Sequence, residues 1–210
     1  MSVLVEVHNL LDEMLAYFSS NNEFINVREV KEKYFKLTGS VHPDTRDYEQ
    51  KMWSFTEWLF FSFSPFRNGE PIFQFYTKNV KPIPEEILMG LSGTRFSLFK
   101  PLGLNSMQQF EVHDLLNDEK YTLSKDQDPF MMIKGELFIG RLFVCEKQFF
   151  ILRGITPLPL EAKSLILQQT KKVKTLSNNL MEEEFLLLLE SMYYKCLIYK
   201  HLPIHHHFVF

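Results

Sequence analysis

The chain is poor in cysteine and glycine, has no long apolar run and has no excess of one charge sign. Only two of its 210 residues are cysteine, Cys145 and Cys196. Both are expected to be buried, reduced thiols, and a chain of this length buries a sufficient core with no disulfide scaffold. No uninterrupted apolar stretch approaches the ~18 residues of a spanning helix, so no membrane contact is expected. Met1 to Ser19 carries Glu6, Asp12 and Glu13 and no Lys or Arg, unlike the basic start of a signal peptide, and the expected compartment is the cytoplasm. Lys and Arg number 23 against 26 Asp and Glu, a net charge of −3, which argues against a partner held mainly through phosphates. The eight glycines form neither a G-x-x-x-x-G-K-[ST] nor a G-x-G-x-x-G loop, so nothing supports nucleotide chemistry. A G-x-S-x-G elbow and a Cys-centred nucleophile signature are also missing. No cofactor is expected.

What is present is aromatic. Phe alone fills 21 positions within a hydrophobic content of 45%, the composition of a folded chain. Val3, Val7, Leu10, Leu11, Met14, Leu15 and Phe18 recur at helical steps and predict an amphipathic helix. Asn26 followed by Glu29 reads as a capped start of a second helix that stops at Gly39. From Asp47 a third helix runs through Trp53, Phe55, Trp58 and Phe60 to Phe63, apolar on more than one face and therefore central. Pro71 to Tyr76 is either a strand or one helical turn, and Pro84 to Leu91 is a short helix led by Glu85 and Glu86.

Between Phe96 and Pro159 the apolar residues fall instead into short runs parted by polar turns. Ser97 to Leu104 predicts a first strand interrupted at Pro101, either an edge strand or a bend. Phe110–Asp114 pairs with Lys120–Ser124 around Asn117-Asp118, residues that accept positive φ. Leu137–Cys145 pairs with Phe149–Ile155, and its first strand is apolar on both faces, so it should be covered on both. After Pro157 and Pro159 the chain returns to helix, ending in a long one from Met181 to about Lys200 with almost no polar face. The expected class is α+β: a small, strongly curved antiparallel sheet (96–159), open or closed as an SH3- or OB-like barrel. It packs between N-terminal helices (1–95) and C-terminal helices with a tail (160–210), all in one compact domain.

The ordered motifs Phe55-Thr56-Glu57-Trp58-Leu59-Phe60, Ser97-Leu98-Phe99, His113-Asp114-Leu115-Leu116, Lys120-Tyr121 and Gly135-Glu136-Leu137-Phe138-Ile139-Gly140-Arg141-Leu142 together resemble a family of uncharacterised bacterial proteins of deltaproteobacterial type. Members have a helical N-terminal part and a small β unit related to that of some SEC-C-containing proteins. The resemblance covers roughly Asp47 to Leu165 and implies the fold but no activity. Because the cysteine cluster of SEC-C is missing here, it implies no zinc. The chain also carries Asp118 where the family pattern has Gly.

Several residues are candidates for chemistry, each beside a structural alternative. Glu57 in its aromatic helix would have a raised pKa and could move protons; as a structural residue it would pair with Arg95 or Arg141. His205 and His207, with His201 and His206 nearby, could ligate a metal, but no acid or thiol adjoins them in sequence; a terminal strand or tail is the alternative. His42-Pro43-Asp44 invites comparison with the tripeptide of Hsp70 co-chaperones, against Pro43 as a helix breaker with Asp44 capping the next helix. Tyr121, Lys134 and Arg141 could form a stacking and phosphate-contacting face for single-stranded nucleic acid, yet acids outnumber bases over 96–162. The leading expectation is a non-enzymatic module that recognises another protein, or itself, through the C-terminal helix with Tyr193 and Tyr194 and through the sheet edge. The alternatives are a small-barrel nucleic-acid binder and an enzyme using Glu57 or the histidines.

Overall fold

A computed structural model describes residues 2–20, 25–128, 132–176 and 179–210. Helix α1 spans Val3–Ser20 and buries Val7, Leu10, Leu11, Met14 and Phe18 of the stripe read from its spacing, with Leu4 added and Val3 and Leu15 only half-buried. Helix α2 spans Val27–Thr38. Its cap is reciprocal: Asn26 Oδ1 accepts from the Glu29 N–H at 3.3 Å, and Asn26 Nδ2 donates to Glu29 Oε1 at 2.9 Å. Gly39 at φ 80° stops it. Helix α3 (Tyr48–Phe61) is buried around most of its circumference, as its aromatic content requires.

The aromatic segment after Pro71 is a helix, α4 (Ile72–Asn79), because a helical turn sends Ile72, Phe73 and Tyr76 together into the core. Helix α5 (Glu85–Ser92) starts after Pro84, with its two acids in the first turn. It lies so close to the sheet that a Cβ on Gly90 would stand 2.1 Å from the Val144 carbonyl oxygen.

The sheet comprises β1 (Arg95–Leu104), β2 (Phe110–Asp114), β3 (Glu119–Thr122), β4 (Leu137–Cys145), β5 (Gln148–Ile151) and β6 (Thr156–Leu158). All pairings between these strands are antiparallel, in the order β3-β2-β1-β4-β5, and β6 pairs with the first half of β4. The bend expected at Pro101 is a register shift between Pro101 and Gly103. Asp118 takes the left-handed turn conformation, φ 60°. The expected partner of β4 runs shorter than Phe149–Ile155: pairing stops at Ile151, and the chain then crosses to β6.

The sheet curls into a half-barrel. Its two edges touch at a single bridge, Leu123 to Phe149, supported by the Ser124 N–H donating to the Phe149 carbonyl at 2.8 Å. Phe99, Val112, Leu123, Phe138, Leu142 and Ile151 fill the concave side. The helices α1 to α5 pack around Phe143 and Phe150. Helices α6 (Lys163–Leu176) and α7 (Asn179–Ile198) cover Leu98, Leu137 and Ile139. The covering of both faces of β4 results from this arrangement. The C-terminus is not a strand: Ile204–His206 forms a 3₁₀ turn that tucks Phe208 against the same apolar cluster as α7. Among the described residues, no helix is long and apolar enough to cross a membrane.

Candidate functional site

The α2–α3 connection, Ser40 to Asp47, lies against the end of α7 and leaves an open groove of about 940 Å³ between them. Gly39 makes this approach possible: a Cβ there would stand 3.3 Å from Tyr194 Cβ. Pro43 and Val41 on one wall face Tyr194, Leu197 and Ile198 on the other. Arg46 and Lys200 stand at the groove with the acid Asp47, while His42 Nδ1 lies 3.4 Å from the exposed Asp44 carboxylate. His42 and Pro43 therefore form part of the groove wall; α2 has already ended at Gly39, and Asp44 does not cap α3, whose N-cap position is Asp47. The loop is held by turn hydrogen bonds, with the Thr45 hydroxyl donating to the His42 carbonyl at 2.7 Å and the Tyr48 N–H donating to the Thr45 carbonyl at 3.1 Å.

Behind the groove floor lies a buried ionic cluster that joins α2, α3 and α7. Lys51 Nζ donates to Glu190 Oε1 at 2.8 Å and to the Thr38 carbonyl at 3.0 Å, satisfying an otherwise orphaned carbonyl at the end of α2. The Tyr34 hydroxyl donates to both Glu190 oxygens at 2.8 Å. Lys51 Nζ also sits 4.0 Å from the centre of the Tyr194 ring, which forms part of the groove. Burial pulls the Lys51 amine below its ordinary range, opposed by Glu190, and burial with the Glu190 charge pushes the Tyr34 hydroxyl well up. Sequence patterning alone does not single out Lys51 and Glu190.

Glu57 is buried but does not pair with Arg95, which binds Glu119 at 2.6 Å and the Tyr121 hydroxyl on the first hairpin. Nor does it meet Arg141, whose guanidinium donates to Ser62 Oγ at 2.9 Å and lies between the rings of Phe61 and Phe96. Glu57 Oε1 instead accepts from the Gly154 N–H at 2.5 Å. Burial raises its pKa to about 7, opposed by the Arg141 charge and the Gly154 bond. The cavity beside it, about 10 Å³, is the size of one water and admits no substrate.

The remaining sequence candidates do not converge. Arg141 is 4% exposed and Tyr121 8%, while Lys134 lies at the surface beside Gly103, so the three form no common face. Tyr194 is buried and Tyr193 half-buried on α7. His205 is exposed against His206, with ring centres 4.5 Å apart, whereas His207 is buried with Nε2 3.2 Å from the Tyr199 carbonyl oxygen. The 3₁₀ turn thus separates the two histidines that an extended strand would have aligned. Among the described residues, no three His, Cys, Asp or Glu side chains are placed to hold a metal. Cys145 is buried and Cys196 only half-buried, both as free thiols.

No protein-family model matches the chain, and no match was found among curated proteins or among solved structures. The resemblance to the bacterial family therefore rests on the sequence motifs alone.

Proposed function

We propose that the protein is a non-enzymatic, cytoplasmic interaction module whose groove between Ser40–Asp47 and the end of α7 takes a short apolar segment of another protein. The observation that carries this reading is the groove itself. It is wide enough for several side chains, has an apolar wall at Leu197 and Ile198, and rests on a floor fixed by the Lys51–Glu190 cluster. Ile198, at the end of α7 and on the groove, is 56% exposed, an apolar residue left uncovered there. The groove's charges favour an acidic partner, since Arg46 and Lys200 outnumber Asp47 among the lining side chains. The occupant is thus a mainly apolar segment that also carries acidic side chains.

Selection from a displayed peptide library tests the reading. Enriched sequences should be apolar and acidic, should shift the methyl resonances of Leu197 and Ile198, and should lose affinity on Arg46→Glu. Basic sequences, or binding that leaves those methyls unmoved, would refute it.

A further inference from the structure

A second concavity, of about 290 Å³, lies where α1 and α3 meet the β5–β6 crossing and the loop after β3. Its body is apolar, formed by Leu4, Trp53, Ile151 and Ile155. Most polar groups around it are already committed. Gln50 Nε2 donates to the Arg153 carbonyl at 2.6 Å, and Gln127 Oε1 accepts from the Ile151 N–H at 2.8 Å. The Arg153 guanidinium pairs with Asp12 and lies 5.1 Å from the centre of the Trp53 ring, held from two sides.

The exception is His8, which lines the cavity and whose buried Nε2 has no hydrogen-bond partner among the described residues. A buried polar atom left unpaired is costly, so the position of His8 at the cavity points to a molecule that completes it. Burial, with the Arg153 charge adding to it, lowers the His8 pKa to about 4, so at neutral pH the imidazole is uncharged and can accept through a ring nitrogen. The lining carries one charge of each sign, Arg153 and Asp128, and Arg153 is paired with Asp12, so the cavity favours neither a cation nor an anion and an uncharged molecule is the best fit.

We propose that this cavity binds a small, uncharged, largely apolar molecule that donates one hydrogen bond to His8 Nε2, of the chemical type of a phenol or an indole. The volume suits one or two fused rings, and apolar walls with a single orienting polar group are the usual make-up of a small-molecule site.

The test is titration of the full chain, with nitrogen-15-labelled histidine, with phenol, indole and toluene. Phenol and indole should move the His8 Nε2 resonance saturably, and toluene, which lacks the donor, should bind about tenfold more weakly. Leu4→Trp should abolish binding by filling the cavity. Should that variant fail to fold, His8→Leu gives an independent reading: the preference for phenol over toluene should disappear. No saturable movement of His8 with phenol or indole, equal affinity for toluene, or a phenol preference that survives His8→Leu would each overturn the proposal.

Discussion

At the scale of single residues, the protein places ionisable groups where water does not reach, and the way each is satisfied sets its effect on stability. Glu57 is held in the fold at a pKa of about 7, against 4.5 for an ordinary carboxyl. The folded state therefore binds this proton more tightly than the unfolded chain does. The resulting stability is present in full below about pH 4.5 and is lost as pH rises through about 7, a difference of ~3 kcal/mol. Denaturant unfolding of wild type and Glu57→Gln at pH 5 and pH 8 measures it. The amide keeps an acceptor for Gly154, so the variant should gain on wild type by about that amount between the two pH values. Parallel behaviour of the two proteins would show that Glu57 is not held protonated.

The Lys51–Glu190 pair behaves differently, because each charge is neutralised by the other. Lys51→Met should cost ~3–5 kcal/mol by leaving Glu190 buried and unpaired. Replacing the set together, with Tyr34→Phe and Glu190→Leu added, should recover most of that loss in the same unfolding measurement. Neither partner is legible in the sequence, since a lysine on a mixed helix looks solvated until the fold closes α7 over it. Glu57 is legible, because a carboxylate flanked by Phe55, Trp58 and Phe60 has nowhere polar to go. Its true partner, a backbone N–H at Gly154, carries no side-chain signature.

At the scale of elements, the close contact of α5 with β4 is the sharpest packing constraint. Gly90→Ala would drive a methyl into the Val144 carbonyl and should destabilise the protein by ~1–3 kcal/mol without changing its secondary structure, as circular dichroism with thermal unfolding would report. Asn26→Ala, which removes the reciprocal cap of α2, should cost ~1 kcal/mol by the same method. The elements legible in the sequence are those with one dominant period. Helices α1 to α3 and both hairpins are set by apolar spacing and turn residues. The segment that forms α4 is short and almost wholly aromatic or aliphatic at its start, so both periods fit it, and packing alone chooses the helix. The strand expected at β5 overruns its true end because Leu152 and Ile155 are buried in the crossing to β6, and burial reads like a strand.

At the scale of the whole molecule, seven helices enclose a curled sheet among the described residues, and the groove of about 940 Å³ forms where distant parts of the chain meet. The sequence points to α7 as a contact element but not to its end, because the opposing wall comes from a loop far away in the chain. The His42-Pro43-Asp44 tripeptide is visible in the sequence, and its placement beside Leu197 and Ile198 is not. The groove is the centre of the proposed function, and its surface residues can be changed with little effect on stability, since Ile198 is largely exposed.

The most direct measurement is affinity capture from native lysate with wild type and Ile198→Glu in parallel, with and without nuclease, eluting with an apolar-acidic peptide selected against the groove. If the groove binds a protein segment, wild type captures a stoichiometric protein that survives nuclease, is released by the peptide and is absent from the Ile198→Glu capture. A partner that Ile198→Glu retains, or nucleic acid whose removal empties the capture, would contradict it.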